Sequence, residues 1–211
     1  RILLENQRLH YEKEISLRNE RDRIASEMHD DLGAGLSTIR FLSLLAKEKE
    51  TDQTKAGRID KIARSAAEVM EKMADIIWVM NSRNDSLENF ANYFRRYAGD
   101  YLDTHGIRFV FQMPETLPPL MLSGEQRRTL LLALKECMHN AVKHAGATEF
   151  HMQLSLNGHL VIAAEDNGKG LPLKHDHNGT NGNGLQNIRR RMESLGGTAI
   201  LENGKGLKVI L

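Results

Sequence analysis

Four short stretches carry side chains suited to chemistry. In ECMHNAVKHAG, residues 136–146, Glu136, Asn140, Lys143 and His144 fall at i, i+4, i+7 and i+8, on one face of a helix. A carboxylate, an amide oxygen, an amine and an imidazole together suit a Mg²⁺–polyphosphate: oxygens for the hard cation, cations for the phosphates. A solvated helix face could carry the same set. EDNGKG, 165–170, directly follows a strand pattern, and NGNGLQNI, 181–188, runs into a helix. Glycines let backbone approach a ligand, and a helix N-terminus offers unpaired N–H groups to an anion. A turn between strands would look the same. EMHDDLGAGL, 27–36, sets His29 beside Asp30 in mid-helix. A neutral imidazole is a good nucleophile toward phosphorus, and the neighbouring carboxylate can take or orient the ring proton. Taken alone, His29 is an ordinary helix-surface residue.

The elements that must position these groups fall into two halves. From Arg1 to about Arg83 there is no proline, only Gly33, Gly35 and Gly57, and helix formers dominate. Ile24, Met28, Leu32, Leu36, Ile39, Leu42 and Leu45 form a helical stripe. After a polar break, KEKETDQTKAG, the positions Ile59, Ile62, Ala66, Val69, Met73, Ile76 and Met80 make a heptad seam. Two such helices form an antiparallel hairpin that buries its stripe poorly alone. Two hairpins paired as a four-helix bundle solve that, so a homodimer is expected. Residues 1–19 read as a helical, coiled-coil connector, 20–84 as the hairpin, and 85–211 as a second domain.

In that second domain SLENFANYFRRYAGDYLDTHG reads as a helix and IRFVFQM as a strand. Ser123 and Gln126 have capping-box spacing at the start of the helix that carries Glu136. EFHMQLSL and HLVIAAE flank Asn157-Gly158, a strong hairpin signal. A helix over about 185–195 and a last hairpin, TAIL to LKVIL, complete an α+β sandwich with helices on one face of a sheet.

Composition narrows the classes. The 211 residues are 40% hydrophobic and 27% charged, as in globular chains. A net charge of +1 gives no electrostatic case for nucleic acid, and no direct contact with it is expected. One cysteine, Cys137, rules out an internal disulfide framework or a cysteine zinc cluster. No apolar run reaches the roughly 20 residues of a membrane span. The chain opens on charged residues, without Met and in mid-pattern, so it reads as part of a longer protein.

The order ECMHNAVKHA, EDNGKG, GNGLQNIRRRMESLGG resembles the N, G1 and G2 boxes of the Bergerat-fold ATPases. ERDRIASEMHDDLGAGLS resembles the phosphoacceptor box of two-component sensor histidine kinases, in the subfamily of nitrate sensors and the membrane-fluidity thermosensor. DIIWVMNSRNDSLENF is similar to the junction between bundle and ATPase domain in such kinases. The resemblance covers about residues 20–211. It implies a dimerisation and phosphotransfer hairpin followed by an α/β-sandwich ATP-binding domain, using ATP and Mg²⁺. It also implies autophosphorylation on His29 and transfer to an aspartate of a response regulator receiver domain. The chain would be the cytoplasmic portion of a sensor whose upstream, membrane-associated part is missing here.

The resemblance also implies roles. His29, Asp30 and Glu136 would be catalytic; Asn140 would hold Mg²⁺; Lys143 and His144 would face the phosphates; Asp166 would accept from the adenine amino group. Gly168 and Gly170 would permit the bend beneath adenine. Gly182, Gly184 and Leu185 would open the phosphate-binding helix, with a lid over about 171–183. Two departures stand out. Relatives with strong phosphatase activity often carry Gln where this chain has Ala34, and relatives usually have Thr where it has Leu207. Two rivals stay open: an ATP-dependent dimeric scaffold that never uses His29, and a Bergerat ATPase that drives a clamp or phosphorylates serine. Other residues receive plainer readings. His175, Asp176 and His177 lack a third metal ligand at a defined spacing. Cys137 reads as a small packed hydrophobe, Arg189, Arg190 and Arg191 as a solvated face, and Trp78 as packing at the domain junction.

Overall fold

The computed structural model describes residues 2–156, 158–171 and 184–211. The chain divides into two compact units, Arg1–Asn84 and Asp85–Leu211.

The first unit is helical. Helix α1, Ile2–Glu27, continues through a π-helical turn, Met28–Leu32, into α2, Gly33–Lys49. Helix α3, Gln53–Met80, returns alongside α2. The loop between them is short, residues 50–52, and the rest of the polar break is helical. Asp52 starts α3 early by accepting from the Thr54 and Lys55 amides at 2.8 and 3.3 Å. Gln, Lys and Ala then carry the helix despite their polarity. Ala63, Ala66 and Met73 are buried, but the stripe is only partly covered. Leu32, Ile39, Phe41, Leu42, Leu44, Leu45, Ile62, Val69 and Ile76 remain exposed in the single chain. Among the described residues no helix is long and apolar enough to cross a membrane.

Helix α1 is tied to the end of the same unit. Asp22 accepts from the Ser82 amide at 2.9 Å and from its hydroxyl at 2.8 Å. These bonds, the amide first, hold the Asp22 carboxyl below its ordinary range against a smaller opposing effect of burial. A lowered folded-state value means the tie stabilises the unit above the unfolded pKa near ~4 and is lost as pH falls through the folded value. Trp78, the single tryptophan, lies close in sequence. Its fluorescence on acidification should therefore change less below about pH 4 in Asp22→Asn than in the parent. Equal acid transitions in the two chains would remove the tie from the account.

The second unit packs three helices against one face of a mixed sheet. Helix α4, Leu87–Thr104, begins at Ser86, whose hydroxyl accepts from the Asn89 amide. Strand β1, Arg108–Gln112, leads to α5, Gly124–Asn140, which runs into a second π-helical turn, Ala141–Ala145. Both halves of the Ser123–Gln126 capping box form. Strands β2, Glu149–Leu156, and β3, Leu160–Asp166, make the expected hairpin; its Asn157 lies outside the described residues. Helix α6 is Gly184–Ser194, and β4, Ile200–Asn203, pairs with β5, Leu207–Ile210. Sheet order is β1-β2-β3-β5-β4, with β1 and β2 parallel and the other pairs antiparallel. Period-two burial fixes the inner face: Phe150, Met152 and Leu154 on β2, Ile162, Ala164 and Asp166 on β3, Leu207 and Val209 on β5. Leu87, Phe90, Phe94 and Leu102 of α4 and Leu130, Leu131, Leu134 and Met138 of α5 supply the helical side of the core.

Candidate functional site

Alternation along β3 carries an acid to the inner, helix-covered face. Asp166 is 5% exposed, and its Oδ1 accepts from the Gly168 amide at 2.9 Å. The chain then turns against the end of the α5 extension. The Lys169 amide donates to the Ala145 carbonyl at 3.0 Å. A Cβ at Gly168 would stand 2.5 Å from that oxygen and 2.6 Å from the Ala145 Cβ, so only glycine fits. Gly170 follows at φ +64°. Asn167 locks the other side: its Oδ1 accepts from the Thr148 and Glu149 amides at 2.9 and 3.0 Å, and its Nδ2 donates to the Thr148 hydroxyl.

The remaining motifs converge on the same place. A Cβ at Gly184, the first residue of α6, would run into the Glu136 carboxylate, so the start of α6 lies against α5 at that acid. A Cβ at Gly206, in the β4–β5 turn, would collide with the Asp166 carbonyl. Asn140 is half-buried where α5 gives way to the π-helical turn; Lys143 and His144, on that turn, are exposed. The face assignment for these four residues assumed 3.6 residues per turn throughout. The wider π turn rotates Lys143 and His144 less per residue than an α-helix would. Cys137 is buried beside this face, and burial, helped by the Glu136 charge, pushes its thiol up to about 12. It is an inert packed group, as its plain reading held.

Leu185 is half-buried on α6. Gly182, the 171–183 lid beyond Leu171, and the His175-Asp176-His177 stretch lie outside the described residues. Leu207 is buried on the inner face of β5. A cleft of about 410 Å³ borders the same turns: Asp166, Asn167, Asn203 and Gly206 line it together with His151, Glu165 and Lys208 of the strands. By register its strand side is a cross-strand row of alternating charge, His151–Glu165–Lys208–Glu202. Asn167, Asn203 and the Ala145 carbonyl went unnoticed in the sequence. An Asn before Gly in both DNG and ENG was the available signal.

In the first unit His29 and Asp30 sit on the π-helical turn of residues 28–32, with side chains 75% and 72% exposed. His29 Nδ1 lies 3.1 Å from Asp30 Oδ1, which leaves Nε2 as the outward ring nitrogen. π-helical turns recur at functional positions, and both of those among the described residues coincide with the motifs.

Comparison with known proteins follows the same division. Residues 20–85 match the family described as "Histidine kinase", and residues 125–211 match "Histidine kinase-, DNA gyrase B-, and HSP90-like ATPase". The chain is 28% identical over 215 residues to the nitrate/nitrite sensor protein NarQ of Escherichia coli, covering 95% of this chain and 35% of NarQ. It is 28% identical over 199 residues to the sensor histidine kinase DesK of Bacillus subtilis, covering 91% of this chain and 50% of DesK. The chain thus spans half or less of the length of these two relatives. The fold is similar to the histidine kinase domain of the Erythrobacter litoralis blue-light activated kinase, with a TM-score of 0.53 at 16% identity, covering 82% of this chain and 93% of that one.

Proposed function

Because the chain belongs to the histidine kinases, we propose that it is the catalytic core of a two-component sensor kinase that phosphorylates itself on His29 from Mg·ATP. The observation that carries the reading is the convergence of Glu136, Asp166, Gly168 and Gly184 on one inner site in a chain that also exposes His29 on a helical turn.

In this reading Asp166 accepts from the adenine amino group, and Gly168 and Gly170 permit the tight bend beneath the base. Gly184 and Leu185 open α6, whose N-terminal amides meet the phosphates, and Gly182 is assigned to the same phosphate-binding role. Lys143 and His144, exposed on their turn, lie within reach of phosphate oxygens. The donors present fit a hard cation: the Asn140 amide oxygen and the Glu136 carboxylate share the face against which α6 begins. Mg²⁺ bound there would neutralise phosphate charge as the phosphoryl group leaves ADP. His29 Nε2 attacks the γ-phosphorus, a P–N bond forms, and the P–O bond to ADP breaks. Asp30 stabilises the ring proton on Nδ1 as positive charge develops.

The apolar residues left exposed along α2 and α3 support a homodimer through the helical hairpin, since covering each half-exposed side chain would gain on the order of 1 kcal/mol. A response regulator's receiver aspartate is then the acceptor from phosphohistidine. The upstream sensor and a cytoplasmic location belong to the same proposal, as does the division into connector (1–19), phosphotransfer hairpin (20–84) and ATP-binding domain (85–211).

Incubation with γ-labelled ATP and Mg²⁺ tests the reading. The parent chain should take up label that is lost in acid and stable in base. Asn140→Ala should lower the labelling rate about a hundredfold or more. A parent chain that binds ATP and takes no such label would favour the scaffold reading; base-labile, acid-stable label would favour serine.

A further inference from the structure

The β4–β5 hairpin meets the Asp166–Leu171 segment at both of its ends. At one end Gly206 lies against the Asp166 carbonyl. At the other, Asn203 grips Leu171: the Leu171 amide donates to Asn203 Oδ1 at 2.7 Å, and Asn203 Nδ2 donates to the Leu171 carbonyl at 3.0 Å. Two residues of paired strands exchange both backbone bonds in the same way. Here one side chain takes the place of a strand neighbour. Of the short side chains, a carboxamide alone offers a donor and an acceptor at that spacing. Gly170 is cut to match, since a Cβ there would stand 2.5 Å from Asn203 Oδ1. The hairpin turn itself is closed by the Gly204 amide on the Gly206 carbonyl at 2.9 Å.

We propose that Asn203 is a positioning residue for the nucleotide. By holding the Leu171 peptide, it fixes the Gly168–Leu171 bend that the buried Asp166 begins. The proposal rests on the reading of Asp166 as the adenine acceptor. Asn203 itself touches neither the nucleotide nor His29 in this account, so it should act on ATP affinity and leave the transfer step alone.

The variants are Asn203→Leu, which keeps the branched shape and removes both bonds, and Asn203→Asp, which keeps the acceptor and loses the donor. The measurement is the ATP dependence of His29 autophosphorylation in the whole chain. Asn203→Leu should raise KM for ATP roughly five- to tenfold, with kcat within about twofold of the parent. Asn203→Asp should fall between the two. Loss of folded molecules gives the opposite split, lowering kcat at an unchanged KM. An unchanged KM in Asn203→Leu, or a fall in kcat alone, overturns the proposal while the labelled parent keeps the kinase reading. If Asn203→Leu does not fold, the same split in Asn203→Asp decides. A parent that neither binds ATP nor takes label overturns the kinase reading and, with it, this proposal.

Discussion

A chain carrying His29→Gln takes up no acid-labile label from γ-labelled Mg·ATP, a fall of at least about a thousandfold, and binds ATP as tightly as the parent. The amide nitrogen of Gln is not a nucleophile, so the acceptor is lost outright rather than weakened. The fold should not notice. The His29 side chain is 75% exposed and its one bond in the structure is to Asp30, the next residue, so no packing goes with it. Gln is also a good helix former. ATP binding should be retained because Glu136, Asn140, Asp166 and Gly184, the residues assigned to the nucleotide, all belong to the second unit. The checks are phosphoryl label, nucleotide affinity and the helical circular dichroism signal on the same preparations. Label that survives the substitution would place the acceptor on another of the nine histidines.

The local parts of this design were legible in the sequence. Ser123 and Gln126 announced the start of α5, Ser86 that of α4, and the two strand patterns flanking Asn157-Gly158 announced the β2–β3 hairpin. Each rests on contacts within a few residues, so spacing alone carries it. What spacing could not carry is where distant segments touch. The parallel pairing of β1 with β2, the Gly184 approach to Glu136 and the Asn203 grip on Leu171 join positions from 32 to more than 40 residues apart.

The π-helical turns escaped for a different reason. One extra residue per turn leaves the composition unchanged, and MHDDL and AVKHA read as ordinary helix. Most of the polar break KEKETDQTKAG is helical, and only residues 50–52 form the short loop. Charged residues in fact serve a helix well once a cap such as Asp52 starts it. Within the single chain Ala66 and Met73 of the heptad seam are buried, with Ala63 and Val79 beside them, whereas Ile62, Val69 and Ile76 are exposed. Those exposed positions are the ones a second hairpin would cover.

Arg127→Ala is expected to cost the second unit about 3–5 kcal/mol. Arg127 is fully buried, forms an ion pair with Asp85 and donates to the Leu122 carbonyl at 2.8 Å. Those partners belong to a clip that closes the unit's first residues onto its body. The Leu122 amide donates to the Asp85 carbonyl at 2.7 Å, the Leu87 amide to the Leu120 carbonyl at 2.8 Å, and Ser86 bridges to Met121. Removing the guanidinium leaves the Asp85 carboxylate and the Leu122 carbonyl short of a donor and opens a void the size of the side chain. Removing both charges should cost less, because replacing a whole buried pair with apolar groups is often close to neutral. Arg127→Met with Asp85→Leu should therefore recover much of the loss that Arg127→Ala causes. The measurement is thermal unfolding, with the second unit's transition identified by its upward shift in Mg·ATP. A shift of less than about 1 kcal/mol in Arg127→Ala would mean that the clip holds through its backbone bonds alone.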